Sequence, residues 1–273
     1  MSLVTSSANP RIKQIRKLRE RKERQSSGLF YVEGLRIIAE AAQQGAQIDT
    51  LIAAPELLTS EFGQELADKF AHQGVPVLEV SAPVFETLSL KEGPAGLAAV
   101  IHQQWSRLED AYPDPAATWV ALDSVADPGN LGTILRTHDA VAGKGVILLD
   151  HSTDPYDPTA IRASMGAVFT QQLVRASFAE FALWKREHGV FLVGTSDKAQ
   201  TDYARFDYPE RLVILMGSER QGLQPQHLDL CDAVVAIPMR GSSDSLNLAV
   251  ATGVVLYEIH NQRRGLGARG AGR

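Results

Sequence analysis

The sequence predicts an α/β protein of two domains, and three observations carry that prediction. The C-terminal half holds five nearly continuous apolar runs, "TWVALD", "GVILLD", "VFLVG", "RLVILMG" and "DAVVAIP". Runs of this kind suit a parallel sheet covered by helices on both faces. The first hundred or so residues alternate short strands with helices, as a small α/β sandwich does. Between the two lies a polar seam, "QQWSRLEDAYPDPAATW", from Gln103 to Trp119, broken by Pro113 and Pro115, which reads as a linker. The expected division is an N-terminal domain over 1–104, a linker over 105–117 and a C-terminal domain over 118–273.

Taken in order, Pro10 to Lys22 reads as a basic helix and "GLFYVEG" as a short strand. "LRIIAEAAQQG" is a helix closing on Gly45, and "IDTLIAA" and "VPVLEV" are strands around the helical "EFGQELADKFAHQG". "GLAAVIH" is the last strand of this half. Beyond the seam, helices are expected near Asn130 to Ala142, Ser177 to His188, Gln224 to Leu228 and Ser245 to His260. Ligands of doubly wound sheets bind beyond the carboxyl ends of the strands. Four strand ends carry unusual loops, after Asp123, Asp150, Met216 and Pro238.

Composition narrows the class. With 44% hydrophobic and 22% charged residues, the chain has the make-up of a soluble globular protein. One cysteine, Cys231, excludes a disulfide framework within the chain and fits a reducing cytoplasm. The seven His are scattered, so no metal site is expected. No stretch approaches the roughly 18 apolar residues of a membrane span. The net charge is −5, yet Arg11 to Arg24 carries eight Lys/Arg against two Glu, and the tail from Asn261 carries four Arg and no acid. Basic ends on an acidic body suit an anionic partner, or in the plainer reading solvated faces.

The common nucleotide and hydrolase signatures are missing. There is no Gly-x-Gly-x-x-Gly between the first strand and helix of the sheet, no Gly-x-x-x-x-Gly-Lys-Ser/Thr and no Gly-x-Ser-x-Gly. Three loops remain. In "DPGNLGTILRTHDA" the turn residues precede a helix, Asn130 can cap it, and Arg136 stands off the apolar stripe. Arg136 either pairs with Asp139 at i,i+3 or holds a substrate phosphate or ribose. In "ILMGSERQGL", Gly217 follows the strand directly and can admit a ligand close to the backbone. In "AIPMRGSSDSLNLAVATG", Asp244 or Ser245 can cap the last helix, and Leu246, Leu248 and Val250 are expected in the core. Asn247 is out of place in a first turn.

Together, "DPGNLGTILRTHDA", "DPYDPTAIRASMGAVF", "LMGSERQGL" and "IPMRGSSDSLNLAVATGVVLYE" resemble the motifs of the SpoU (TrmH) branch of the SPOUT superfamily. These are S-adenosylmethionine-dependent RNA ribose 2'-O-methyltransferases. The N-terminal "NPRIKQIRKLRERKERQSSGLFYVEG" is similar to the substrate-binding extension of the ribosomal RNA members, a ribosomal-protein-like RNA-binding module. The resemblance implies a C-terminal domain threaded into a deep trefoil knot, a homodimer, and ribosomal RNA as the substrate, with tRNA as the alternative. It implies catalytic roles for Asn130, Arg136, Glu219, Ser245 and Asn247. Cofactor binding falls to Leu215, Gly217, Ile237, Met239 and Leu246. Arg11, Lys13, Arg16 and Lys17, with Arg136, are the expected RNA contacts. His138 departs from the alanine frequent among relatives and reads as a packing variation or as an RNA contact two residues from Arg136. A non-catalytic RNA-binding assembly factor is the competing class; the intact set Asn130, Arg136, Ser245 and Asn247 argues against it.

Overall fold

The computed structural model describes residues 3–113 and 118–266. The end of the expected linker, 114–117, and the arginines at 269 and 273 lie outside the described residues. The chain forms two compact units. The first takes residues up to 103 together with 156–169; the second takes 104–155 and everything from 170 onward. Residues 156–169, which the sequence reading keeps with the C-terminal domain, thus belong to the N-terminal unit.

In the first unit, α1 (Pro10–Lys17) starts where Asn9 accepts the Arg11 amide. The expected helix to Lys22 breaks before α2 (Arg21–Ser27). The cause is Arg24, which is 1% exposed and donates to the Leu18 and Arg19 carbonyls at the break. Then follow β1 (Leu29–Glu33), α3 (Leu35–Gln43), β2 (Ile48–Ala53), α4 (Glu61–His72), β3 (Val77–Glu79), α5 (Ala82–Leu88) and β4 (Leu97–His102). The strands run β1-β4-β2-β3, antiparallel except for the β2–β3 pair. Ile12, Ile15 and Leu18 of the basic segment are buried in a core with Ile52, Phe85 and Val100.

The second unit opens with β5 (Trp119–Asp123), α6 (Pro128–Ala140) and β6 (Gly145–Leu149). The chain then gives α7 (Pro158–Ser164) to the first unit. It returns with β7 (Gln172–Ala176), α8 (Phe178–His188), β8 (Phe191–Thr195), β9 (Thr201–Asp202) and β10 (Leu212–Met216). Last come α9 (Pro225–Leu230), β11 (Ala233–Ala236) and α10 (Leu248–Arg263). The seven strands lie in the order β7-β6-β5-β10-β8-β11-β9, and every pairing is parallel. All carboxyl ends therefore share one edge, and the loops after β5, β10, β8 and β11 leave from four neighbouring strands. Trp119, Ile147, Phe181 and Val213 lead the core on one face. On α10, Gly253 lets the helix approach Thr137 of α6: a Cβ there would lie 3.3 Å from the Thr137 methyl.

His138 is fully buried, so of its two readings the packing variation holds and the RNA contact does not. Its Nδ1 lies 2.7 Å from Gln171 Oε1 and its Nε2 lies 3.0 Å from the Thr118 carbonyl. Gly143 leaves no room for a side chain against the ring. Burial pushes the imidazole pKa down to about 4, against the upward pull of Gln171 and Thr118. Stability is then unaffected above the ordinary value of 6.5 and falls as the pH drops from there toward 4, because only the unfolded chain binds the proton in that window. The expected loss is about 3 kcal/mol by pH 4. Thermal melts across this range check it: the part of the pH slope owed to His138 disappears in His138→Asn, whatever that change does to Tm at neutral pH.

Candidate active site

The first loop is built differently from the sequence expectation. Asp127, not Asn130, caps α6: its Oδ1 accepts the Asn130 amide at 2.8 Å, and Pro128 opens the helix. The Asn130 side chain is thereby released for other work. In the third loop, Asn247 is itself the N-cap of α10, its Oδ1 accepting the Ala249 and Val250 amides at 2.9 and 3.3 Å. Neither Asp244 nor Ser245 caps this helix, and Asn247 does not occupy its first turn. Leu248 is buried as expected, but Leu246 and Val250 are exposed.

These two asparagines meet. Asn247 Nδ2 donates to Asn130 Oδ1 at 2.9 Å, and Asn130 Nδ2 donates to Glu219 Oε1 at 3.2 Å. The direction of the relay is fixed at its start. Because the Asn247 oxygen already takes two helix amides, only its NH₂ is left to face Asn130, and the Asn130 NH₂ must then face an acceptor. Glu219 supplies that acceptor and also takes the Ala126 and Asp127 amides at 3.1 and 3.2 Å. One carboxylate thus ties the loop after β10 to the loop after β5. Burial alone would raise the Glu219 pKa, but its own amide, those of Ala126 and Asp127, and Asn130 outweigh it and hold the carboxyl below the usual range.

The loop after β10 is folded back on itself. Ser218 bridges Gly222, and a Cβ on Gly217 would run into the backbone of Gly222 and Leu223. Space is therefore already needed at Gly217 by the chain itself, before any ligand is considered. Beside this loop lies a cleft of about 540 Å³, within the usual range for small-ligand sites. Its walls come from the ends of β8, β10 and β11 and from the turn before α10.

Gly217, Ile237, Met239 and Leu246 all line the cleft, as do Glu219 and Ser245. Leu215 does not: its side chain is fully buried in the core, and the alternation of the strand presents Met216 instead. Arg136 is exposed on α6 and makes no hydrogen bond or ion pair among the described residues. Of the two readings of Arg136, the pair with Asp139 does not form; Asp139 accepts from the Thr170 hydroxyl at 2.6 Å. The loop after Asp150 takes no part in the cleft; Asp150 accepts the Phe178 amide at the start of α8. Sequence reasoning missed Thr195 to Lys198, which form one wall. The available signal was the polar "TSDK" directly after an apolar strand.

In the N-terminal unit, Arg11, Lys13 and Lys17 are exposed. Arg16 is partly engaged, donating to the Ser7 carbonyl and to Thr87 Oγ1. Arg19 donates to the carbonyls of Thr87, Leu88 and Ser89. Part of the basic segment is therefore structural. Among the described residues no cluster of His, Cys, Asp or Glu is placed to hold a metal.

The cleft fits S-adenosylmethionine in the chemistry of its lining. Met216, Leu223 and Ile237 give an apolar wall for a ring, and the folded loop brings main-chain groups to its rim. Asp197, Glu219 and Asp244 place carboxylates along the lining beside Lys198 and Arg220, so both the cationic and the anionic groups of the ligand can meet opposite charge.

Residues 117–257 match the SpoU rRNA Methylase family, and residues 9–99 match the MRM3-like substrate binding domain. The chain is 33% identical to a 23S rRNA (uridine(2479)-2'-O)-methyltransferase of Streptomyces viridochromogenes, over 90% of this chain and 87% of that one. It is 27% identical to a 23S rRNA (guanosine(2553)-2'-O)-methyltransferase of Bacillus subtilis, over 95% and 99% of the two chains. The crystal structure of an AdoMet-bound rRNA methyltransferase from Sinorhizobium meliloti superposes with a TM-score of 0.87 at 38% identity, covering 96% of this chain and 97% of that one.

Proposed function

Because the chain belongs to the SpoU rRNA methylase family, we propose that the Asn130–Glu219–Asn247 relay beside the cleft is its centre for methyl transfer. The protein is an S-adenosylmethionine-dependent RNA 2'-O-ribose methyltransferase, and ribosomal RNA is its substrate class. The observation that carries the site assignment is the relay, which joins the first turn of α6, the loop after β10 and the N-cap of α10.

Gly217, Ile237, Met239 and Leu246 hold the cofactor, with Met216 rather than the Leu215 side chain as the wall. When bound, S-adenosylmethionine supplies a methyl group on a positively charged sulfur, already activated for transfer. What the protein adds is alignment of the ribose hydroxyl, which alone is worth several kcal/mol. Asn130 and Asn247, locked in orientation by the helix cap and by Glu219, set the position of that hydroxyl, and Ser245 lies in the same rim. Arg136 stabilises the oxygen as its negative charge develops and clamps the neighbouring phosphate. A guanidinium holds its proton too tightly to act as the base; the proton passes to phosphate or water.

Lysine at position 136 keeps the charge and loses the fork. Arg136→Lys is therefore expected to lower kcat/KM for RNA by roughly 10- to 100-fold with cofactor affinity unchanged. A fully active lysine variant removes the clamp.

The same reading takes the C-terminal unit to thread as the deep trefoil knot of its superfamily, and the protein to act as a homodimer. Support for the dimer is an apolar stripe on α10, where Val250 and Tyr257 are 52% and 47% exposed and Val254 lies between them. A cytoplasmic location follows from the RNA substrate; no helix among the described residues is long and apolar enough to cross a membrane. Methyl transfer to unmodified ribosomal RNA and, separately, to bulk tRNA tests the substrate. Label is expected in the ribosomal RNA; label in tRNA alone keeps the chemistry and removes the substrate assignment.

A further inference from the structure

A second cleft, of about 520 Å³, lies within the N-terminal unit and contains none of the residues assigned to methyl transfer. It is walled by the first turn of α3, the loop after α5, and α7. Arg36, Lys91 and Arg162 line it; all three are exposed, and none of their side chains makes a hydrogen bond or ion pair among the described residues. Leu90 and Met165 add large apolar side chains that are 39% and 44% exposed.

The electrostatics of this cleft run against the ordinary rule for helix ends. The N-terminus of a helix carries partial positive charge and favours anions. Here the cap is Gly34, at φ 116°, with no side-chain cap bond and no acidic residue in the first turn. Into that position come two cations. Arg36 lies in the first turn, and Lys91 Nζ lies 3.4 Å from where a Gly34 side chain would begin. Such an arrangement is unfavourable alone and is relieved by a bound anion.

Two carboxylates also line the cleft. Glu33 is occupied by the Ser89 hydroxyl and the Leu90 amide, and Glu40 lies against Gly166. Tyr31, 5% exposed, lines the cleft as well, and its buried hydroxyl has no hydrogen-bond partner among the described residues. Burial keeps that hydroxyl protonated, hence a donor.

We propose that this cleft takes one unstacked nucleotide of the RNA substrate. Its phosphate lies at the N-terminus of α3 among Lys91, Arg36 and Arg162, and its base lies on Leu90 and Met165. A duplex is too wide for a cleft of this size, whereas a splayed-out base presents a flat apolar face together with one anion, which is how proteins read single-stranded RNA. This inference rests on the RNA methyltransferase reading and adds where the substrate is gripped.

The test uses the full chain with unmodified ribosomal RNA. Arg36→Ala/Arg162→Ala is expected to raise the KM for RNA at least about tenfold, with kcat at saturating RNA and cofactor affinity unchanged. The slope of log Kd against log salt becomes shallower by about 0.7 for each single-strand phosphate that the protein no longer neutralises. Arg36→Lys/Arg162→Lys keeps both charges and removes only the planar forks, so a smaller rise in KM is expected, and this variant separates recognition from misfolding. A wild-type KM and salt slope in both variants overturns the inference while leaving the methyltransferase reading intact. If the wild-type protein itself transfers no methyl to RNA, that reading falls, and this inference with it. A defect on ribosomal particles without one on naked RNA assigns the cleft to a protein partner and overturns the nucleotide.

Discussion

Replacing Asn130 by alanine is expected to lower kcat about 10²- to 10³-fold while cofactor affinity changes little. Asn130 is the middle of the relay, accepting from Asn247 and donating to Glu219. Its loss leaves the Asn247 NH₂ without that acceptor and removes one of the donors that hold the Glu219 carboxylate. The cleft itself keeps its lining, because Asn130 is not part of the wall. Asn130→Asp is expected to be no better, since it sets a second carboxylate against Glu219 and repels it. Single-turnover methyl transfer alongside calorimetric cofactor binding separates the two effects. Unchanged kcat in Asn130→Ala contradicts the relay as the centre of catalysis.

Gly217→Ala carries the opposite signature. The added methyl collides with backbone atoms of Gly222 and Leu223, which cannot swing away as a side chain would. The Ser218–Gly222 bridge must open, and with it the wall of the cleft. Cofactor affinity is expected to fall by about tenfold or more, and Tm by a few degrees, consistent with overpacking of about 1–3 kcal/mol. The requirement here is space, not backbone freedom, so larger residues should be worse than alanine in order of size. Calorimetric titration with S-adenosylmethionine reads it directly, and wild-type affinity in the alanine variant contradicts the loop as the cofactor wall.

The parts of this protein legible in the sequence are those where pattern and structure share one cause. The apolar runs at Trp119, Gly145, Phe191, Leu212 and Ala233 became parallel strands; β5, β6 and β10 are buried along their whole length, β8 and β11 in part. β7 was missed because "QLVRA" is an edge strand with an exposed Arg175, so its run is not continuous. The single helix expected over Pro10 to Lys22 failed because a distant-looking residue, Arg24, takes the carbonyls at the break. α5 and α7, each seven residues long, were also missed.

At the site, the residues were found but not their wiring. Asn130 read as a cap because asparagine caps helices, yet Asp127 three residues earlier does so and frees Asn130 to bond across loops. That Glu219 would join the first loop to the second requires β5 and β10 to be neighbours, a fact of topology that no local pattern contains. His138 was ambiguous for the same reason, since its burial is set by Thr118, Gly143 and Gln171.

The chemistry proposed for the residues gathered around Asn130 is methylation of a ribose oxygen in RNA. The most direct measurement is transfer of labelled methyl from S-adenosylmethionine to unmodified ribosomal RNA, followed by alkaline hydrolysis. A 2'-O-methyl group blocks cleavage at its own linkage, so the label is expected in alkali-resistant dinucleotides and absent with folded Asn130→Ala protein. Label released entirely as mononucleotides would place the methyl on a base and overturn the assignment of ribose methylation.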